Sequence, residues 1–261
     1  MRLDALLVRK NLCSGREKAK EAIRAGLVFV DGVKETKPSR ELEDSASLEL
    51  RGEGQRFVSR GGLKLEKALE VFAVDPSGLV CLDCGASTGG FTDCLLQHGA
   101  ARVYALDVGS AQLAPSLLSD SRVVSMEHFN ARDLRSEDLP ETPGLIVADV
   151  SFISLRLVIP ALARVLGPEG ELICLIKPQF EAGRERLGKG GIVRDRAVHR
   201  LVLEELLAFF PTLGLHPAGL TWSPVSGGDG NLEFLCYLRR KPGGFRPDVN
   251  RIVEEAYREL K

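Results

Sequence analysis

Leu79-Val80-Cys81-Leu82-Asp83-Cys84-Gly85-Ala86-Ser87-Thr88-Gly89-Gly90-Phe91 reads as a buried strand that runs into a glycine-rich turn and then a helix. A turn of this kind lets a ligand approach the backbone and meet the positive end of the helix. The spacing is not the G-x-G-x-x-G of a dinucleotide fold. Downstream, apolar runs alternate with helical stretches, which predicts a parallel sheet in an α/β fold. The expected strands are 79–84, 103–107, 122–125, 144–149 and 171–176, with two late strands near 218–222 and 232–238. The expected helices lie near 90–98, 154–166 and 195–210. The two late strands are joined by a glycine-rich loop and read as an antiparallel hairpin at the sheet edge. The second strand ends in Tyr104-Ala105-Leu106-Asp107, about twenty residues after the turn, where an acidic side chain can accept the ribose hydroxyls of a nucleoside.

The chain before residue 50 follows a different pattern. Leu3, Leu6 and Leu7 recur at helical spacing. Ser14-Gly15-Arg16-Glu17 has the form of a capping box, and the helix it opens carries Ala19, Ala22 and Ile23 on one face before stopping at Gly26. A short strand over 27–30, the turn dipeptide Asp31-Gly32 and a polar strand follow, and 47–50 alternates like a further strand. Arg16, Lys20 and Arg24 fall at i, i+4 and i+8, a basic stripe whose like charges repel unless something neutralises them. Through Arg40 there are ten Lys and Arg against five Asp and Glu, although the whole chain carries a net charge of −1. Any polyanionic partner should therefore meet the N-terminal segment first. Residues 51–63 are rich in glycine and arginine and read as the connection. The expected division is a small domain over 1–58, a linker over 59–63 and a large domain over 64–261.

At 261 residues, 44% hydrophobic and 27% charged, the composition is that of an ordinary globular protein. No apolar run approaches the length of about 18 residues a membrane span needs. Charges interrupt the N-terminal MRLDALLVRKN, unlike a signal peptide, so a cytoplasmic location is the expectation. Cys81 and Cys84 form a C-x-x-C, yet residues three apart on a strand point to opposite faces, so no metal site is expected.

Four polar residues stand where folding alone does not require them. Lys64 opens a helical run, Asp149 and Lys177 end apolar strands, and Glu233 begins one. Ligands of open α/β sheets bind outside the carboxyl ends of the parallel strands, where Asp149 and Lys177 lie; an antiparallel last strand brings Glu233 to the same edge.

The stretch from Asp83 to Phe91 resembles the first motif of class I methyltransferases, in which the glycines pass the methionine part of S-adenosylmethionine. That resemblance implies cofactor contacts at Asp83, Gly85, Ser87, Gly89, Gly90, Phe91, Asp107 and Asp149, and an adenine contact at Asn130. Residues 2–50 resemble the S-four-type (α-L) RNA-binding domain, in which Arg16, Lys20 and Arg24 would grip phosphates. Ser59 to Leu65, Asp83 to Phe91, Ala148 to Phe152, Leu175 to Glu181 and Asn231 to Phe234 together resemble the TlyA-type (hemolysin A) proteins. These are FtsJ-like ribose 2′-O-methyltransferases with an α-L domain. The resemblance implies a class I, Rossmann-like seven-stranded sheet, S-adenosylmethionine as cofactor and ribosomal RNA or ribosomal subunits as partner. It also implies a Lys-Asp-Lys-Glu tetrad at Lys64, Asp149, Lys177 and Glu233. Lys67 competes with Lys64, which is preferred because it stands in the matching Gly-Gly-Leu-Lys-Leu.

The tetrad makes chemical sense for that reaction. A 2′-hydroxyl is a poor nucleophile until a base takes its proton. A lysine becomes a useful base only when a second ammonium and partial burial draw its pKa from about 10.4 toward about 7–8. Lys177 is the expected base, Lys64 tunes it, and Asp149 and Glu233 orient both. The glycine-rich, basic stretch 178–194 reads either as a mobile RNA-gripping lid or as a merely floppy loop. Two other classes compete: a non-catalytic RNA-binding or ribosome-assembly factor that retains the cofactor fold, and a membrane-lytic hemolysin. The second needs a membrane-active amphipathic stretch, and the sequence offers none.

Overall fold

The structure is a computed structural model that describes residues 1–13, 15–24, 26–50, 56–227 and 230–260. The chain divides into two compact units, Met1–Arg56 and Phe57–Lys261.

In the first unit, α1 (Leu3–Arg9) and α2 (Arg16–Arg24) pack on a three-stranded antiparallel sheet of β1 (Val28–Val30), β2 (Val33–Glu35) and β3 (Leu48–Leu50), ordered β2-β1-β3. Leu3, Leu7, Ala19, Ile23, Val28 and Val30 form its core, the residues whose helical and strand periodicity marked them as apolar faces. Asp31 and Gly32 both adopt positive φ, the conformation of a two-residue hairpin turn, and this aligns Val30 with Val33. Ser14, expected as the helix cap, lies outside the described residues. Its expected partner Glu17 pairs with Lys20.

The second unit begins earlier than the expected linker allows. α3 (Gly61–Phe72) includes Gly61, Gly62 and Leu63 in its first turn. The preceding Phe57 is buried directly beneath Gly62, where a Cβ would lie 2.2 Å from the Phe57 ring. Residues 59–63 are thus part of a packed element rather than a linker. Gly62, one of the glycines that suggested flexibility, lets the helix sit close over Phe57.

The remaining elements are β4 (Val80–Cys84), α4 (Gly90–Gln97), β5 (Arg102–Leu106), α5 (Pro115–Leu118), β6 (Val123–Met126), β7 (Leu145–Ala148), α6 (Leu155–Val165), β8 (Glu171–Ile176), α7 (Pro178–Glu181), α8 (Arg196–Phe209), β9 (His216–Trp222), β10 (Phe234–Arg239) and α9 (Val249–Leu260). Seven strands form one sheet in the order β6-β5-β4-β7-β8-β10-β9. β4 to β8 pair in parallel, and β10 runs antiparallel to both β8 and β9. Successive residues feed opposite layers. Cys81, Val103, Val147 and Leu175 face a core shared with α3 and α4, while Leu82, Cys84, Ile146 and Cys174 face the core under α6, α8 and α9. Cys81 and Cys84 are therefore separated by the sheet itself. Burial raises both thiols, that of Cys81 to about 12.

The expected hairpin at the sheet edge is present, but α9 closes the second unit. Its Val249, Ile252, Val253 and Ala256 follow the i, i+3, i+4, i+7 pattern and are buried. The chain first builds β4-β5-β6 outward and then returns to add β7 and β8 on the other side of β4. The order reverses between β4 and β7, the place where an open α/β sheet leaves a crevice at its carboxyl edge.

Candidate functional site

At that crevice β4 ends in Cys84 and the chain turns sharply at Gly85, with φ +87°. A side chain there is excluded twice, by the positive φ and by the Asp149 carbonyl oxygen, which would sit 2.6 Å from a Cβ. The turn and the end of β7 are therefore in backbone contact, so a group bound at one lies against the other. Asp83 is fully buried; its Oδ2 accepts a 2.7 Å hydrogen bond from Thr92 Oγ1, and its Oδ1 has no hydrogen-bond partner among the described residues. Burial drives its carboxyl up to about 7, with the neighbouring Asp149 and Asp107 adding repulsion.

Asp107 follows β5 and is half-buried. Its two oxygens accept one backbone N–H each, from Ser87 and from Gly109, both at 2.8 Å. These bonds fix the carboxylate plane and leave each oxygen a lone pair for a further donor. Asn130 caps a short 3-10 turn, its Oδ1 accepting from Arg132 N at 3.1 Å. Gly89, Gly90 and Phe91 make the start of α4, with Phe91 buried beneath it.

Lys64, Asp149, Lys177 and Glu233 come from α3, the end of β7, the end of β8 and the residue before β10, and they meet in one cluster. Lys64 Nζ donates to Glu233 Oε2 at 2.6 Å and lies 3.9 Å from Asp149 Oδ2. Lys177 Nζ lies 2.6 Å from Asp149 Oδ1 and donates to Ser151 Oγ at 2.7 Å. The contact with Oδ1 is close but does not meet hydrogen-bond geometry, so this pair is ionic while the directional bond goes to Ser151. Side-chain exposures of 3–18% place all four charges away from bulk water, where an unpaired charge is costly and a paired one is fixed in place. Lys67 takes no part: its Nζ stands 3.9 Å above the Trp222 ring.

Four residues make contacts that were not legible in the sequence. Ser151 holds Lys177, although nothing in the chain marked it above its neighbours. Phe152 is 91% exposed and adopts φ +63°, a left-handed conformation rare for a bulky side chain, with its ring 5.1 Å from that of Phe180. Asn231, buried two residues before Glu233, accepts from Val193 N–H at 2.9 Å and donates to the Gly191 carbonyl at 3.3 Å. Tyr257 of α9 donates to the Arg194 carbonyl at 2.6 Å. The stretch expected as a free lid is therefore clasped at its far end, and its near end is the turn of α7.

In the first unit, the basic stripe is partly neutralised from within. Arg16 lies 3.3 Å from the buried Asp4, and Lys20 lies 2.5 Å from Glu17, while Arg24 is exposed. The repulsion expected among the three is relieved by neighbouring carboxylates, so it carries less weight as a sign of a polyanionic partner.

A reversing parallel sheet, a glycine turn after its central strand and a fixed carboxylate after the next strand together define a class I methyltransferase fold. Among similar proteins, the "16S/23S rRNA (cytidine-2'-O)-methyltransferase TlyA" of Mycobacterium tuberculosis (strain ATCC 25618 / H37Rv) is 42% identical, covering 97% of this chain and 97% of its own. "Hemolysin A" of Brachyspira hyodysenteriae is 44% identical over 91% of this chain and 99% of its own. A solved structure titled "Putative hemolysin from Streptococcus thermophilus" superposes with a TM-score of 0.80 at 45% identity, covering 99% of this chain and 96% of that one. The chain belongs to the FtsJ-like methyltransferase family, whose model matches residues 57–240, and it carries an S4 domain over residues 1–48. Among the described residues no helix is long and apolar enough to cross a membrane.

Proposed function

We propose that the protein methylates a ribose 2′-hydroxyl of ribosomal RNA, with S-adenosylmethionine as donor. The observation that carries this reading is the tetrad: two ammonium and two carboxylate groups from four distant segments, gathered beside the glycine turn. The fit to the cofactor rests on three features of that turn. Gly85 has no room for a side chain, Asp83 Oδ1 is buried without a hydrogen-bond partner among the described residues, and Asp107 has spare lone pairs. Asp107 would hold the ribose hydroxyls, Asn130 the adenine, and Asp83, Gly85, Ser87, Gly89, Gly90, Phe91 and Asp149 would line the methionine end. When bound, S-adenosylmethionine supplies an electrophilic methyl group on a sulfonium.

Lys177 Nζ, as the amine, accepts the 2′-hydroxyl proton. Asp149 and Ser151 hold that nitrogen in place and then stabilise it as an ammonium. Lys64, tied to Glu233, stands near the other oxygen of Asp149 and keeps that carboxylate from swinging away. Phe152 offers an exposed aromatic face beside the tetrad, suited to a nucleobase turned out of its stack. The RNA-binding role of the first unit would fall on Arg16, Lys20 and above all the exposed Arg24. A relative bears the name hemolysin; leakage from liposomes exposed to this protein would favour that membrane-lytic reading instead.

The test is methyl transfer from labelled S-adenosylmethionine to ribosomal subunits, followed by mapping of 2′-O-methyl positions. Wild-type protein should modify ribose, and Lys177→Ala should bind the cofactor normally but lose about 10²–10⁴ in rate. A Lys177→Ala protein of unchanged rate would overturn the assignment of the base. Wild-type protein that binds subunits without transferring methyl would favour the non-catalytic assembly-factor reading.

A further inference from the structure

Lys177 and Glu181 stand at the two ends of α7, a single turn pinned by Phe180 N–H to the Lys177 carbonyl and Ala182 N–H to the Pro178 carbonyl, both at 2.9 Å. Both side chains reach the same neighbouring segment. Lys177 grips Asp149 and Ser151. Glu181 accepts from Ser154 Oγ–H at 2.6 Å and from Leu155 N–H at 2.7 Å. Ser154 is in turn the N-cap of α6, accepting from Arg156 N–H at 3.1 Å. The carboxylate thus satisfies an otherwise orphan donor at a helix start and locks the cap side chain that satisfies another.

Between the two grips lies Phe152, exposed and left-handed, resting on Phe180. A bulky residue in that conformation costs on the order of 1–3 kcal/mol and persists only where its surroundings over-determine it. The grip at Lys177 cannot do this alone, because Lys177 must change its protonation state during the reaction. Glu181 can. Its partners are a backbone N–H and a hydroxyl, neither of which takes part in the chemistry. Burial raises its carboxyl, the sign of a group held out of water by packing, and the hydrogen bonds from Ser154 and Leu155, with a smaller contribution from Arg156, offset this in part.

We propose that Glu181 is a positioning residue: it fixes the start of α6 to α7 and so keeps Asp149, Ser151 and Phe152 in register with Lys177 for methyl transfer. The role in transfer rests on the methyltransferase reading above; the mechanical role does not.

The experiment compares wild type with Glu181→Ala, Glu181→Gln and Glu181→Asp in two measurements. Amide hydrogen exchange over residues 150–156, without RNA or cofactor, reads the grip itself. Glu181→Ala should speed exchange at Leu155 and Arg156 by about 10-fold or more, as expected when local opening becomes easier. Single-turnover methylation of ribosomal subunits should slow by about 10- to 100-fold, the effect of a misplacement of about 1 Å. S-adenosylhomocysteine affinity should fall much less than the transfer rate, because the ribose and adenine contacts at Asp107 and Asn130 lie outside the held segment, a separation that general unfolding would not produce. Glu181→Gln retains an oxygen for Leu155 N–H and should restore most of both properties. Glu181→Asp keeps the charge but withdraws it by one methylene; it should behave like Glu181→Ala and replaces it should that variant fail to fold. Unchanged exchange in both Glu181→Ala and Glu181→Asp would overturn the proposal, as would faster exchange with an unchanged transfer rate. If the wild type transfers no methyl to RNA, the functional reading fails, while the exchange measurement still decides whether Glu181 holds the segment.

Discussion

Asp83 should make the catalytic unit less stable as pH rises from about 4 toward neutrality, and Asp83→Asn should remove that dependence. The carboxyl is fully buried with one oxygen bonded to Thr92 and the other without a hydrogen-bond partner among the described residues, and burial brings it up to about 7 from 3.8. In the window between those two values the folded state keeps a proton that the unfolded chain has released. The folded state therefore binds more protons there, and stability must fall as pH rises, levelling off above about 7. The slope inside the window is about 1 kcal/mol per pH unit and flattens as pH nears 7, so wild type should lose about 2 kcal/mol between pH 5 and 7 relative to Asp83→Asn. Asparagine keeps an oxygen for Thr92 Oγ1–H and carries no charge into the core. Urea unfolding can be followed by the single tryptophan, Trp222 on β9, which reports on the second unit alone. Comparing the two proteins cancels titrations they share. A difference that stays flat between pH 5 and 7 would refute the reasoning and mean that Asp83 is solvated or paired. The carboxylate is expected to recover its value on cofactor binding, so the more stable variant should bind S-adenosylmethionine less tightly, a trade of stability for function.

Asp107→Asn removes an oriented carboxylate and should weaken S-adenosylhomocysteine binding by about 10- to 100-fold, matching hydrogen bonds to a charged acceptor of about 1.5–3 kcal/mol; calorimetry showing less than a two-fold change would dismiss its role with the ribose. Phe152→Gly relieves a left-handed backbone at an exposed site, so Tm should hold or rise by a few degrees while the KM for RNA increases, in line with a stacking loss of about 1–3 kcal/mol. A clear fall in Tm would show that the ring stabilises the fold instead. Arg24→Glu should lower RNA affinity and reduce its salt dependence by about one phosphate contact, measured from the slope of log K against log salt; an unaltered slope would remove Arg24 from the interface.

The local pattern of the chain was enough for the strands, their alternation with helices and the glycine turn, because burial on both faces writes itself into consecutive apolar residues. The second strand was placed at 103–107 and lies at Arg102–Leu106, and the helix placed at 154–166 runs from Leu155 to Val165. The same local reading put Asp149, Lys177 and Glu233 at one sheet edge, since each sits at the boundary of an apolar run. It passed over α9, whose apolar face repeats only four times along a strongly charged helix. It also took the glycines of 59–63 for a linker, because close packing and flexibility call for the same residue.

What only the tertiary structure decided were the partners. Which carboxylate takes Lys64, that Ser151 takes Lys177 and that Glu181 holds the head of α6 are contacts between segments far apart in the chain. So is the backbone strain at Phe152, which no local propensity favours and which the gathered fold imposes. A sequence carries the periodicity that builds a sheet, but a side chain's charge is balanced by whatever the sheet brings to it.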